Sequence, residues 1–139
     1  MSIQAVLFPL FVEVAVTFVL AFWLSALRVD AIRSGRVHPR DIALGEPNWP
    51  PRVTQVGNAY HNELELPLLF YVLTILSIIT RHADLLFVLL AWVFVVLRLL
   101  HGYGHLAAVN VSRRGLWSAS AIVLAVMWII FAVEILLVI

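Results

Sequence analysis

Long apolar stretches alternate with short polar ones along this chain, and the pattern predicts four membrane-spanning helices. A helix needs about 20 mostly apolar residues to cross a hydrocarbon core about 30 Å thick. Four stretches meet that length, at about 3–27, 58–80, 84–106 and 115–139. A transmembrane barrel would instead need many alternating segments of about ten residues, a pattern that does not occur here. We therefore predict an all-α fold, an integral membrane four-helix bundle in which residues 1–139 form a single transmembrane domain.

The composition agrees with a membrane protein and excludes several function classes. Hydrophobic residues make up 63% of the chain and charged residues only 12%, which places the lipid bilayer among its partners. There is no cysteine, so disulfides and thiolate chemistry on the chain are excluded. No glycine-rich phosphate loop, catalytic-triad spacing or nucleic-acid motif occurs, and we expect no nucleic-acid partner.

The arginines are distributed unevenly among the connections, and this predicts the orientation. Seven of the nine basic residues fall in or beside the predicted first loop, 28–57, and the third connection: Arg28, Arg33, Arg36, Arg40, Arg52, Arg113 and Arg114. The second connection has only Arg81. By the positive-inside rule, the first and third connections lie in the cytoplasm and both termini lie outside. We expect a multi-pass protein of a bacterial inner membrane.

The first connection is unusually long for a compact membrane bundle. Pro47, Pro50 and Pro51 prevent a continuous helix there, and Trp49 suits the headgroup region. Connections of this length are usually functional or disordered. Two interpretations stay open, a lid over a site and a passive strap along the membrane surface.

Polar residues cluster at the start of the second predicted helix. They fall at i, i+3, i+4 and i+7, on one helix face: Asn58, His61, Asn62 and Glu65. A second polar stripe lies near the end of the third helix: Arg98, His101 and His105. An unpaired charge near the bilayer centre costs at least about 2.5 kcal/mol. We therefore predict that the two stripes face each other inside the bundle and that Glu65 pairs with Arg98.

The two stripes have two possible roles. Polar side chains inside membrane bundles often only hold helices together, at about 0.6 kcal/mol for each hydrogen bond. The number of donors here also fits a pocket for a small anionic ligand. Its mouth would carry arginines, whose guanidinium groups bind carboxylates well: Arg40, Arg52, Arg113 and Arg114.

Two further features concern single ionisable residues. Glu13 lies in the middle of the first span, where a carboxylate is a candidate functional group. The alternative is a protonated acid that bonds across an oligomer interface. His101 and His105 have a spacing that can bind a metal, but no Asp or Cys completes a ligand set, so we predict no metal site.

The second helix resembles the signature of the MAPEG superfamily, the membrane-associated proteins of eicosanoid and glutathione metabolism. That signature reads R-A-x-x-N-x-x-E followed by a proline, and this chain reads NAYHNELELP. Four positions match: Ala59, Asn62, Glu65 and Pro67. Asn58 stands where the family has an arginine. Arg98 matches the family's helix-three arginine, and Arg113 or Arg114 matches the basic residue that opens helix four.

The resemblance implies a homotrimer that binds glutathione, as a substrate, between neighbouring subunits near the cytoplasmic face. Asn62 and Glu65 would hold the glutathione backbone, and Arg98 would bind a carboxylate. The full set of expected glutathione-binding residues is Asn62, Glu65, Arg98, Arg40 and His105.

The resemblance also implies a reaction. Arg114 would be the catalytic residue, since an arginine beside the sulfur stabilises a thiolate for attack on a small lipophilic substrate. The expected activity is that of a glutathione-dependent transferase or peroxidase. The alternative is a non-catalytic structural or accessory subunit of a membrane assembly, which Asn58 in place of arginine favours.

The orientation can be tested with single cysteines placed at Ser2, Gly45, His82 and Ile139. In intact cells, an impermeant maleimide should label the cysteines at Ser2, His82 and Ile139 and leave the one at Gly45 unlabelled. Labelling at Gly45 without labelling at His82 would reverse the orientation.

Overall fold

In the part of the chain that the structure describes, the first, third and last membrane-spanning stretches are single helices. The second consists of two helices separated by a break. The computed structural model describes residues 1–107 and 113–138, with the backbone alone at 104–107, 113 and 114. The helices are α1 (Ile3–Arg33), α2 (Pro51–Glu63), α3 (Leu66–Ile79), α4 (Leu85–Ala107) and α5 (Arg113–Leu136). A short 3-10 helix covers Pro39–Asp41.

Among the described residues, four stretches are long and apolar enough to cross a membrane: Ile3–Arg33, Pro51–Ile79, Leu85–Tyr103 and Gly115–Leu136. The predicted fold class, an all-α membrane bundle of four spans, is therefore confirmed. The protein is a multi-pass integral membrane protein whose surroundings are a lipid bilayer.

The predicted first loop, 28–57, is too long. The helix α1 continues to Arg33, where Gly35 with φ +77 lets the chain leave the helix. The helix α2 begins at Pro51 rather than Asn58, because a proline at the first helical position loses no hydrogen bond. The true connection is residues 34–50, and the side of the bundle that carries it is called the loop side below.

The break in the second span follows from Pro67. In a continuous helix, residue 67 would donate its N–H to the carbonyl of Glu63, and proline has no N–H and a ring that clashes with that carbonyl. The chain closes α2 with tighter bonds, from the N–H of Leu64 to the carbonyl of His61 (3.1 Å) and from Glu65 to Asn62 (3.3 Å). Glu65 itself is not helical, with φ −88 and ψ −92. The second span therefore changes its helical register at residues 64 and 65.

Two apolar clusters hold the helices together. One joins the first half of α1 to α3, α4 and α5, and its centre is the contact of Phe70 with Phe94, whose ring centroids lie 4.9 Å apart. The other joins the second half of α1 to α2 through residues such as Leu24 and Val56. Between these two clusters, near the break, α1, α2 and α4 meet around polar residues.

Candidate functional site

Arg98 of α4 is fully buried in the bundle and makes two contacts with the end of α2. Its exposed fraction is 0%, and that of Glu63 is 2%. The Nη2 atom donates a hydrogen bond of 2.7 Å to the carbonyl oxygen of Asn62 and lies 3.7 Å from Oε1 of Glu63. Arg98 thus supplies a second donor to the carbonyl of Asn62, which also accepts from the N–H of Glu65 at the break, and a counter-charge to a buried carboxylate.

The predicted pair of Glu65 and Arg98 is wrong. Glu65 is exposed, and the carboxylate beside Arg98 belongs to Glu63. The prediction assumed one continuous helix, whereas the break before Pro67 takes Glu65 out of the register of α2. The depth was correct, because Arg98 does contact the backbone of the polar stripe at Asn62.

The direction predicted for the polar stripe on α2 is also wrong. The face that α2 buries consists of small and apolar residues and one acid: Val53, Val56, Gly57, Ala59 and Glu63. Asn58 and His61 lie on the opposite face and are exposed, and Asn62 is half-buried. On α4, by contrast, Arg98 and His101 do face the interior. The polar stripe of α2 therefore points away from the core, whereas the signature residue Ala59 is buried.

Glu13 of α1 joins Glu63 and Arg98 in one buried charge cluster. Its exposed fraction is 0%, and its carboxyl group interacts with both the Glu63 carboxyl and the Arg98 guanidinium. Tyr71 of α3 faces the same group. Within this chain Glu13 is fully buried, so the partners that the structure gives it are internal, and the alternative in which it bonds across an oligomer interface stays a prediction.

A cleft of about 420 Å³, with both polar and apolar side chains in its walls, opens on the loop side, between the 34–50 connection and the helices α1 and α2. Two cation–π contacts attach the chain around it to α1: Arg28 lies 5.1 Å from the ring centre of Trp49, and Arg52 lies 4.8 Å from that of Trp23. The connection therefore forms one wall of the cleft.

The cleft carries groups that suit a small ligand with both carboxylate and ammonium charges. The Nε atom of Arg28 is buried and has no hydrogen-bond partner among the described residues. Asn58 and His61 line the α2 wall, and Glu46 lines the wall formed by the connection. A guanidinium N–H binds carboxylates strongly, and the volume falls in the usual range for small-molecule sites, about 300–1,000 Å³.

The predicted glutathione-binding residues lie in different places. Arg98 is inside the bundle, Asn62 and Glu65 lie at the helix break, and Arg40 is exposed in the 3-10 helix. None of these four lines the cleft. The side chains of His105 and of the predicted catalytic Arg114 lie outside the described residues. Their roles stay predictions.

Sequence reasoning missed Arg28 and Glu46 as cleft residues. Arg28 was used only as evidence for topology, as one of several loop arginines. Gly57 lies where α1 passes α2. A Cβ atom there would make ordinary van der Waals contacts, 3.6 Å from Leu24 and 3.9 Å from the Arg28 guanidinium, so the packing does not require a glycine and the sequence offers no signal for this contact.

Comparison with known proteins supports the resemblance found in the sequence. The family model described as "MAPEG family" matches residues 6–133, a range that includes the helix break and Arg98. No curated protein and no solved structure shows a significant match to the chain.

The pairing of Glu63 with Arg98 can be tested by a double-mutant cycle in detergent. Removing one member of a buried ion pair costs about 3–5 kcal/mol when the other charge is stranded, and less for Glu63, because Glu13 stays beside Arg98. Glu63→Ala and Arg98→Ala should each lower the free energy of unfolding, and the double variant should lose about 1–3 kcal/mol less than the sum.

Glu65→Ala is the matched control. As an exposed substitution it should change stability by about 0.5 kcal/mol or less. Additive losses for Glu63 and Arg98, or a coupling between Glu65 and Arg98 in their place, would contradict the assignment.

Proposed function

The chain belongs to the MAPEG family, and from this we propose that it binds glutathione on its loop side and uses it as a membrane-bound transferase or peroxidase. The second substrates would be small lipophilic electrophiles dissolved in the adjoining leaflet. The observation that carries the proposal is the cleft lined by Arg28, whose buried Nε atom has no hydrogen-bond partner among the described residues.

The residues of the cleft fit the chemistry of glutathione. Glutathione carries two carboxylates and one ammonium group, joined by peptide bonds. In our proposal Arg28 binds one carboxylate and Glu46 faces the ammonium group. The side chains of Asn58 and His61 supply hydrogen bonds to the peptide groups between them.

The signature residues would complete the site from the outward face of α2. Asn62 follows His61 of the cleft directly, and Glu65 stands at the helix break beyond it. In the proposed homotrimer this polar face would meet a neighbouring subunit, so that the ligand lies between two chains. Arg98 cannot touch such a ligand while it is fully buried. We assign it a positioning role, since it holds the carbonyl of Asn62.

The proposed chemical step uses the glutathione thiol. The thiol loses its proton, and the thiolate attacks an electrophilic carbon of the lipophilic substrate to form an S–C bond. A leaving group departs with the displaced electron pair, or a proton is added. Arg114, at the start of α5, would stabilise the thiolate by its positive charge. By the orientation predicted from the arginines, the reaction would take place at the cytoplasmic leaflet.

A non-catalytic role is the second candidate, and two observations favour it. Asn58 replaces the signature arginine and so removes a carboxylate anchor. Arg98 and Glu63 meet each other rather than a cavity. A structural or accessory subunit of a membrane assembly needs only these internal contacts, and the experiments below separate it from the enzyme.

Glutathione binding can be measured as a thermal shift of the detergent-solubilised protein. A ligand that binds only the folded state at 100 times its Kd stabilises it by about 2.7 kcal/mol. Wild type should show a shift that grows with glutathione concentration, and Arg28→Gln should lose most of it. Arg33→Gln removes an exposed arginine near the same end of α1 and should behave as wild type. Equal thermal shifts with glutathione in Arg28→Gln and Arg33→Gln would show that glutathione does not bind in the cleft.

Catalysis can be separated from binding at Arg114. Arg114→Ala should keep the thermal shift, while the rate of conjugation to a chromogenic electrophile falls by about 100-fold, as expected for the loss of one charge-stabilising group. A wild type that binds glutathione but conjugates no electrophile and reduces no peroxide would favour the non-catalytic role.

A further inference from the structure

The buried charge cluster contains one more acidic group than it can pair. Glu13 and Arg98 have exposed fractions of 0%, and Glu63 has 2%. If all three were ionised, two carboxylates would share one guanidinium, and a net negative charge would remain inside the bundle. A buried charge without a partner is so costly that such groups usually become neutral.

The geometry indicates which carboxylate keeps its charge. Oε1 of Glu63 lies 3.7 Å from the Arg98 guanidinium, so Glu63 is the direct counter-ion. Glu13 lies on α1, about 15 Å along the helix axis from its first residue, and so at mid-membrane depth. Glu13 is therefore the group that has to be neutralised.

Several polar atoms of the buried charge cluster lack a hydrogen-bond partner among the described residues. Among the described residues, Oε1 and Oε2 of Glu13, Oε2 of Glu63, and Nε and Nη1 of Arg98 are buried without a hydrogen-bond partner. The two carboxyl groups are nevertheless within hydrogen-bonding reach of each other. Two ionised carboxylates can only accept, so they cannot bond. One proton makes a Glu13 oxygen a donor, and it can then bond to Glu63.

The groups around Glu13 offer no second cation. The Thr17 hydroxyl, one turn along α1, donates to the Glu13 backbone carbonyl at 2.9 Å. Tyr71 faces the pair from α3 and is neutral in its ordinary state. From α4 the facing cation is Arg98, and the buried His101 lies one turn beyond it. Among the described residues, Arg98 is the positive group that acts on Glu13.

We propose that the buried charge cluster binds one proton, held by Glu13 and shared in a hydrogen bond with Glu63, as a permanent part of the folded bundle. The proton replaces a repulsion between two carboxylates by a bond that joins α1 to the end of α2. Arg98 joins the same end of α2 to α4. Three helices are thus fastened at the break in the second span.

The proposal is tested by infrared spectroscopy of the purified protein at neutral pH. The C=O stretch of a protonated carboxyl group is separate from the bands of carboxylates. Wild type should show this band, and Glu13→Gln should lose it. Glu63→Gln should also lose it, because Glu13 then becomes the counter-ion of Arg98 and ionises. Absence of the band in wild type would overturn the proposal without any variant.

Two controls make the assignment specific. Glu134→Gln removes the acid in the span formed by α5, and Glu65→Gln removes the exposed acid at the break. Both should keep the band. Persistence of the band in Glu13→Gln, or its loss in Glu134→Gln, would overturn the proposal. Glu13→Gln should also melt near wild type because its amide can donate to Glu63, whereas Glu13→Leu, which cannot donate, should melt lower.

Discussion

The guanidinium group of Arg98 meets two needs that lipid cannot meet. Within a bilayer, a carbonyl freed from a helix and a buried carboxylate must both find partners in the protein. At the break the carbonyl of Asn62 keeps one bond of 3.3 Å from the N–H of Glu65, and Glu63 supplies the carboxylate directly before the break. Arg98 reaches both, at 2.7 Å and 3.7 Å. The joining of α2 to α4 at the break depends on this contact.

The polar residues of the second span fall into two groups, one that faces the interior and one that faces outward. Glu63 points inward and, with Glu13 and Arg98, holds the bundle together. Asn58, His61 and Glu65 point outward on the loop side, where a ligand or a neighbouring subunit can reach them. In the proposed function, the arginine that meets glutathione is then Arg28, at the wall of the cleft. The charge of Arg98 is already used inside the protein.

The spans could be predicted from the sequence because bilayer thickness sets a length that few other segments reach. The depth of Arg98 was predictable for the same reason, since rise per residue converts position into depth. The partner of Arg98 was not predictable. Glu65 shares a face with Asn58, at i and i+7, only if the helix is continuous. Pro67 breaks that helix, so the position of Glu63 could be found only from the folded chain.

The direction of the α2 stripe also depends on packing rather than on periodicity. A helical spacing shows that residues share a face, and it does not show whether that face is buried. Here the face with Val53, Val56 and Gly57 packs on α1, which turns Asn58 and His61 outward. Glu13 and Glu63 are far apart in sequence, and no local sequence pattern predicts that they lie together.

Solid-state NMR of the protein in lipid bilayers tests the contact of Arg98 with Glu63 most directly. Dipolar recoupling would measure the distance between 15N-labelled arginine side chains and 13C-labelled glutamate carboxyl groups. The structure predicts a close buried pair, with Nη2 of Arg98 3.7 Å from Oε1 of Glu63. The cross-peak between Arg98 and Glu63 should disappear in Glu63→Gln and stay unchanged in Glu65→Gln. A signal that survives in Glu63→Gln and disappears in Glu65→Gln would contradict the account.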